Sequence, residues 1–221
     1  AGAIIITGRR HDRLIELEGR MHKRWPSVSV YAMRLDVQNV SEISTLSQRL
    51  PSRFQNVTVL VNNAGLALGM QPADATPLDD MQTMVQTNVI GLMAMTSTFT
   101  APMRERGYGH VINIGSITGH YTYAGGSVYA ATKFAVDAYS QALQQDLVST
   151  PVRVTQISPG AVKTEFASIR FDGDKKRVDA VYEGLNALSA DDVADAVIYA
   201  ATRPLHVQIG EIIIWPTNQA P

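Results

Sequence analysis

Cysteine is absent from the 221 residues of this sequence, which excludes disulfides, thiolate nucleophiles and cysteine-ligated metals. No apolar run approaches the ~18 residues that a membrane-spanning helix needs, and the N-terminus carries no signal-peptide pattern. An excess of either charge is also lacking, since 19 Lys+Arg against 20 Asp+Glu leave a net charge of −1. This balance argues against a basic nucleic-acid-binding surface and a polybasic membrane-binding patch. We therefore predict a soluble, cytoplasmic protein with no nucleic-acid or membrane partner.

Apolar strands and amphipathic helices alternate along the chain. Residues 3–7 (AIIIT) have the pattern of a buried strand, and residues 57–61 (VTVLV) that of a strand covered on both faces. Residues 13–25 and 127–148 place their apolar side chains at helical spacing. Strands separated by helices require crossover connections and a parallel sheet. The pattern predicts an α/β fold, a doubly wound parallel sheet of the Rossmann type, in a single domain over residues 1–221.

Three further segments bear on the interior and on the site. Residues 41–50 are predicted to form a helix that Ser41 caps. Residues 78–106 form a long helical stretch with a break, and its five methionines offer more adaptable apolar surface than one sheet needs. Residues 163–177 are polar but for three apolar side chains. We expect a lid over the site at about residues 163–190.

The predicted carboxyl ends of the strands carry small, flexible or charged residues. These ends are Thr7-Gly8-Arg9-Arg10, Asp36-Val37, Asn62-Asn63-Ala64-Gly65, Gly115-Ser116 and Pro159-Gly160. Glycine there lets the backbone approach a ligand, and ligands of doubly wound sheets bind beyond these ends. Any one of these loops alone is better explained as an ordinary turn. Their repetition along the sheet favours a long ligand lying across its edge.

Two arginines open the first predicted helix, where their charges oppose the helix dipole at a cost of roughly 0.3–1 kcal/mol each. An anionic ligand at this end would compensate. Arginine suits the 2′-phosphate of NADP(H), whereas an acidic residue would hold the free ribose hydroxyl of NAD(H). Arg9 and Arg10 are therefore predicted to bind the 2′-phosphate of NADP(H). The alternative is that both are solvated surface charges.

Tyr129 and Lys133 lie four residues apart on one predicted helix, so they share a face. Free tyrosine, with a pKa near ~10, is a poor acid–base group at neutral pH, and a nearby ammonium lowers that pKa. The pair therefore predicts a proton-transfer site, although such pairs also arise by chance on exposed helices. Ser116 ends a strand just before this helix and is a candidate to hydrogen-bond a reacting oxygen.

These residues together resemble the short-chain dehydrogenase/reductase family. The matching motifs are Asn62-Asn63-Ala64-Gly65, Asn88 within Gln86-Thr87-Asn88-Val89, Gly115-Ser116-Ile117, Tyr129-Ala130-Ala131-Thr132-Lys133 and Ser158-Pro159-Gly160. A finer similarity is to the NADP-dependent 3-hydroxy acid dehydrogenases, which include serine 3-dehydrogenases. It rests on residues 60–72 (LVNNAGLALGMQP), 123–126 (YAGG), 164–171 (TEFASIRF) with Gly173-Asp174, and 216–220 (PTNQA). The resemblance covers the chain and implies a reversible hydride transfer between NADP(H) and an alcohol/carbonyl pair.

The resemblance implies a role for each catalytic residue. Tyr129 would exchange a proton with the carbonyl oxygen, Lys133 would lower the Tyr129 pKa and hold the nicotinamide ribose, and Ser116 would polarise the carbonyl. Asn88 would anchor a water on the proton path to Lys133. The alternative for Asn88 is a polar residue that packs between helices.

The resemblance also distributes the cofactor along the strand ends. Arg9 and Arg10 would hold the 2′-phosphate, with the adenine nearby. The remaining predicted contacts are Asp36 and Val37 at the adenine, Asn63, Ala64 and Gly65 along the adenosine–pyrophosphate path, and Pro159, Gly160, Val162 and Thr164 at the nicotinamide end.

A substrate carboxylate needs a cationic partner, and Arg170 is our candidate. From the polar lid segment it would fold over Tyr129 and Ser116 and match the carboxylate with two parallel hydrogen bonds. The alternative is a solvated surface arginine. The rival cations in the same segment are Lys163, Lys175 and Lys176.

The sequence departs from the family in one respect. Family members begin with a strand and a Gly-rich Thr-Gly-x-x-x-Gly-x-Gly turn, whose N–H groups meet the pyrophosphate. Here the first strand corresponds to the family's second. The additional strand would lie between the first and third strands of this sequence, and we expect that both ends of the sequence as given are incomplete.

The predicted function is an NADP(H)-dependent interconversion of a small 3-hydroxy acid, of the serine, allo-threonine or 3-hydroxypropionate type, and its carbonyl form. The alternatives are a reductase of 3-oxoacyl thioesters or other ketones and a non-catalytic NADP(H)-binding regulator. A regulator would usually lack Tyr129 or Lys133, and both are present. The resemblance implies a homodimer or homotetramer in which the 78–106 and 127–148 helices pair across a two-fold axis.

Overall fold

The computed structural model describes residues 1–220, so Pro221, the last residue of the predicted domain, lies outside the described residues. Strands and helices alternate as predicted, which confirms the α/β class. The strands are β1 (Ala3–Gly8), β2 (Ser29–Arg34), β3 (Val59–Asn62), β4 (Gly109–Ile114), β5 (Val152–Pro159) and β6 (Glu211–Ile214). The helices are α1 (His11–Arg24), α2 (Val40–Ser44), α3 (Leu46–Arg49), α4 (Leu78–Val85), α5 (Leu92–Arg106), α6 (Ser127–Asp146), α7 (Phe166–Arg170), α8 (Lys175–Tyr182) and α9 (Ala190–Ala201).

All strand pairs are parallel, but the strands fall into two groups. β1 pairs with β2, and β3, β4, β5 and β6 follow one another in a second sheet. Among residues 1–220 no ladder joins β1 to β3, so the interruption lies between the first and third strands, where the sequence placed it. Val61 of β3 is 42% exposed, so the prediction that this strand is covered on both faces is wrong. The Val61 side chain instead lines an open cleft.

The core lies where α5 packs on β3, β4 and β5. Phe99 and Met103 of α5 are buried against Leu60, Val111 and Val154 of these strands. Met84 and Met95 are buried as well. Three of the five methionines are therefore ordinary core residues, not adaptable surface. Burial of such side chains, each favourable by about 1.5–3 kcal/mol, holds the second sheet against its helices.

Helix boundaries differ from the sequence pattern in two places. The predicted 41–50 helix is divided into α2 and α3 at Thr45, and its cap is Asn39, whose Oδ1 accepts from the Glu42 N–H at 3.2 Å. Ser41 is therefore not the cap. The predicted break in the 78–106 helix is confirmed as a widened π turn over Gln86–Gly91. A Cβ on Gly91 would lie 2.6 Å from the Val37 carbonyl oxygen, so only glycine permits this approach.

The predicted lid segment is partly helical and contains α7 and α8. Asp174 caps α8, since its Oδ1 accepts from the backbone N–H groups of Lys176 and Arg177. No helix within residues 1–220 combines the length and the apolar character that crossing a bilayer requires.

Candidate active site

A cleft of about 450 Å³ opens at the carboxyl ends of β3, β4 and β5. This volume is within the range of small-molecule sites. The lining includes nine of the residues predicted from the sequence: Asn63, Gly65, Ser116, Tyr129, Lys133, Pro159, Gly160, Val162 and Thr164. Val193 and Val197 of α9 form an apolar wall that the sequence did not predict. The tertiary structure thus gathers residues from five separate segments around one space.

Tyr129 and Ser116 form the polar centre of this cleft. Tyr129 lies in the first turn of α6, and Ser116 follows β4 in extended conformation. The Ser116 Oγ accepts the Thr118 N–H at 3.1 Å and donates to the Pro159 carbonyl at 3.5 Å. Phe166 packs edge-on against the Tyr129 ring at 5.6 Å between centroids. Ser116 and Tyr129 thus form a pair of hydroxyl-bearing side chains that line the same cleft.

Lys133 lies one helical turn after Tyr129 and is only 7% exposed. Its Nζ donates to the Ile114 carbonyl oxygen at 2.9 Å and is 5.9 Å from the centre of the Tyr129 ring. Burial disfavours the charged ammonium and lowers the Lys133 pKa to about 8. The lysine thus changes charge within the range in which enzymes operate.

The Tyr129 pKa shifts in the direction opposite to the one expected. Burial raises it to about 12, because the phenolate is poorly solvated in the cleft. The Ser116 hydrogen bond and the Arg170 charge act the other way but are smaller influences. Lys133 is not among the groups that shift this pKa, so the expectation that its ammonium lowers the Tyr129 pKa is wrong. Tyr129 therefore stays protonated at neutral pH, as a proton donor in carbonyl reduction must.

The buried ammonium leads to a prediction about stability. The unfolded chain keeps the Lys133 proton up to pH 10.5, while the folded chain loses it near pH 8. Stability therefore rises with pH in this window, and the gain is about 3 kcal/mol. We expect the variant Lys133→Met to lack this rise, as measured by urea unfolding at steps from pH 7 to pH 10.5. Parallel pH dependences for the two proteins would contradict the burial of the charge.

Asn88 lies behind the cleft rather than on its surface and is 1% exposed. Its side chain accepts the Leu66 N–H at 2.8 Å and donates to the Leu66 carbonyl at 2.8 Å and to the Thr132 hydroxyl at 3.0 Å. It therefore ties the loop after β3 to α6, in which Thr132 adjoins Lys133. This packing is the alternative that the sequence left open for Asn88. Its water-anchoring role stays a prediction.

Arg170, at the end of α7, lies near the cleft but is not among the residues that line it. Its Nε donates to the Gly69 carbonyl at 2.8 Å and its Nη1 to the Tyr123 hydroxyl at 2.7 Å. The guanidinium carbon is 6.0 Å from the centre of the Tyr129 ring. Tyr123 was missed as a site residue, although it stands in one of the segments that carry the resemblance. The distance places the Arg170 cation near the Tyr129 ring.

The four residues predicted for the adenosine end lie outside the cleft, at the ends of β1 and β2. Asp36 uses one carboxylate oxygen to accept the Gln38 N–H at 3.0 Å, and Val37 packs against the core. Arg10 pairs with Glu165 at 2.8 Å. Arg9 has no side-chain partner in the part of the chain that the structure describes. Ala64 likewise is not among the residues that line the cleft.

Glu165 is the functional candidate that the sequence pattern did not reveal. Its carboxylate also pairs with Arg13, at 2.6 Å. Hydrogen bonds from Arg13 and then from Arg10 lower the Glu165 pKa. More than 150 residues separate this carboxylate from the two arginines, so no local spacing rule could have connected them.

Comparison with known proteins agrees with this geometry. The short chain dehydrogenase family model matches residues 1–174. The chain belongs to this family. The "NADP-dependent 3-hydroxy acid dehydrogenase YdfG" of Salmonella typhi is 44% identical over 218 residues, which is 98% of this chain and 86% of that protein. "Sulfoacetaldehyde reductase 2" of Chromohalobacter salexigens is 40% identical over 219 residues, 99% of this chain and 86% of that protein.

A solved structure extends the agreement to three dimensions. The closed form of serine dehydrogenase complexed with NADP+ superposes with a TM-score of 0.93 at 43% identity, covering 100% of this chain and 88% of that one. Family, enzyme class and Rossmann-type fold are thus as predicted from the sequence. In this short-chain dehydrogenase, Ser116, Tyr129 and Lys133 line one cleft.

Proposed function

We propose that this short-chain dehydrogenase is an NADP(H)-dependent oxidoreductase that interconverts a small 3-hydroxy acid and its carbonyl form. The observation that carries the proposal is the Arg170 guanidinium 6.0 Å from the Tyr129 ring, because it adds a fixed cation to a proton-transfer site. The relatives named for 3-hydroxy acid and serine dehydrogenases support the same substrate class.

The residues present fit a dinucleotide. Gly65 lies at the cleft, and a Cβ there would come within 3.3 Å of the Asn88 Oδ1, so a larger residue would press on the Asn88 side chain. Arg9 and Arg10 offer guanidinium groups for the 2′-phosphate, and Lys133 offers an ammonium for the nicotinamide ribose. Bound NADPH supplies the hydride. The nicotinamide end of the cofactor would lie in the cleft near Thr164.

Ser116 and Tyr129 both act on the substrate oxygen during proton transfer. In reduction, Ser116 donates a hydrogen bond that polarises the carbonyl oxygen, and Tyr129 gives that oxygen its proton. The raised Tyr129 pKa keeps this proton available at neutral pH. Lys133, with its pKa near 8, is the nearest group able to return a proton toward the tyrosine. In oxidation the same residues act in reverse.

The substrate carboxylate would bind Arg170. Two of the five guanidinium N–H groups are used by Gly69 and Tyr123, so three remain for an anion. The two bonds also restrict the side chain, which lowers the entropic cost of binding.

A turnover comparison tests the proposal. We expect NADPH consumption with a small semialdehyde acid and little with a 3-oxoacyl thioester, because Arg170 places a cation near the Tyr129 ring where a carboxylate could pair with it. Faster turnover of the thioester would favour the ketone-reductase alternative. Tight NADPH binding with no turnover of either compound would favour a regulator.

Cofactor choice should depend on the arginines at the end of β1. Replacing both Arg9 and Arg10 by Ala is expected to weaken NADPH binding by at least tenfold, and NADH binding little. A charge-assisted contact to the 2′-phosphate is worth about 1.5–3 kcal/mol, and solvent exposure places these residues at the lower end. Calorimetric titration with the two cofactors measures the difference. Equal losses would show that the arginines do not read the phosphate.

We propose further that the protein is a cytoplasmic homo-oligomer. Exposed apolar side chains on and near α4 and α6 support an interface between copies of the chain: Leu78, Val85, Ile90 and Phe134. These residues, rather than the buried methionines, would contact the partner.

A further inference from the structure

The Glu165 carboxylate joins the lid segment to the start of α1. The Glu165 Oε2 pairs with Arg10 at 2.8 Å, and its Oε1 pairs with Arg13 at 2.6 Å. Arg10 and Arg13 are three residues apart at the start of α1 and share a face. Glu165 belongs to the lid segment, directly before α7. The lid is thus attached by its first residues to the helix that follows β1.

The ion pair lies where a phosphate is expected. Arg10 is one of the two proposed 2′-phosphate ligands, and a carboxylate that accepts from two guanidinium groups presents the same anionic oxygens as a phosphate. The three side chains are each 53–56% exposed, so water reaches them and the pair is exchangeable at low energetic cost.

The residue after Glu165 contacts the reacting centre. Phe166 packs edge-on against Tyr129 at 5.6 Å, and its backbone N–H donates to the Thr164 hydroxyl at 3.2 Å. A shift of Glu165 would therefore be transmitted directly to the aromatic contact beside the proton donor. Two neighbouring lid residues connect the adenosine end of the site with the Tyr129 end.

We propose that Glu165 is a specificity-determining residue that competes with the cofactor's 2′-phosphate for Arg10, so that phosphate binding exchanges the lid's attachment to α1. The inference rests on the proposed NADP(H) function. When the phosphate binds, the Arg10 guanidinium leaves Glu165 and pairs with the phosphate, while Glu165 stays paired with Arg13. Because the Glu165 carboxylate competes for Arg10, it weakens binding of the 2′-phosphate.

The test measures phosphate recognition without catalysis. Adenosine 2′,5′-bisphosphate and adenosine 5′-monophosphate are titrated into the wild-type chain and the Glu165→Gln variant by calorimetry at low salt. We expect Glu165→Gln to bind the bisphosphate about fivefold more tightly, the effect of one unit charge at ~4 Å in water. Affinity for the monophosphate should be unchanged. The gain should shrink at high salt because these charges are exposed.

Glu183→Gln is the matched control, since it removes an exposed lid carboxylate that has no ion-pair partner among residues 1–220. It should leave both affinities unchanged. Unchanged or weaker bisphosphate binding by Glu165→Gln, an equal gain in the control, or no bisphosphate binding by either protein would overturn the inference. If Glu165→Gln shows the expected gain but the wild type turns over no hydroxy acid, the proposed substrate fails and the inference stands. If the wild type turns over the hydroxy acid but Glu165→Gln shows no gain in bisphosphate affinity, the inference about Glu165 fails and the proposed substrate stands.

Discussion

Replacing Tyr129 by Phe is expected to lower turnover roughly 10²–10⁴-fold, the usual contribution of a general acid. The variant loses the hydroxyl that would give its proton to the substrate, while the ring keeps its edge-on packing against Phe166. Binding of NADPH should therefore be nearly unchanged. Steady-state kinetics with a 3-hydroxy acid and a separate titration with NADPH measure the two effects.

Tyr199→Phe is a suitable control for this experiment. Tyr199 lies on α9 with its ring exposed and packed beside the Arg203 guanidinium at 4.3 Å, so its hydroxyl is remote from the proton path. The control should keep wild-type turnover. Near-normal turnover of Tyr129→Phe would reject the assignment of the proton donor. A parallel loss of NADPH binding would mean that the ring, not the proton, was the essential part.

Arg170→Met should lower kcat/KM for a 3-hydroxy acid by at least thirtyfold and leave an uncharged alcohol of similar size almost unaffected. Loss of one partner of a buried, hydrogen-bonded charge pair costs about 2–5 kcal/mol, and the half-buried Arg170 falls at the lower end of this range. Methionine retains apolar contact but donates no hydrogen bond. The ratio of the two kcat/KM values isolates the carboxylate contribution from any general change of the lid.

Lys175→Met tests the nearest rival within the same lid. Lys175 is exposed at the start of α8, so its loss should affect both substrates little. A drop of equal size for acid and alcohol in Arg170→Met would show that the arginine only supports the lid through Gly69 and Tyr123. An acid-specific loss in Lys175→Met instead would move the carboxylate site.

The predictable part of the site consists of residues whose roles depend on close spacing or on strand ends. The Tyr129–Lys133 spacing places both side chains on one face of α6, and the glycine-rich ends of β3, β4 and β5 meet at one sheet edge. The position of the sheet interruption followed from the family resemblance, which implies an additional strand between the first and third strands of this sequence. In contrast, the prediction that Ser41 caps its helix was wrong, because α2 begins at Val40 and Asn39 is its cap.

Periodicity and motifs were thus sufficient for the α/β class, the order of the elements, the family and the group of residues around the cleft, because each of these depends on neighbours in the chain or on a rule of sheet topology. Burial, and with it the raised Tyr129 pKa and the lowered Lys133 pKa, depends on atoms from many segments and was decided only by the tertiary structure. The same holds for the pairing of Glu165 with Arg10 and Arg13 and for Arg170 beside Tyr123. Contacts between residues far apart in sequence leave no periodic trace, since only the folded chain brings them within hydrogen-bonding distance.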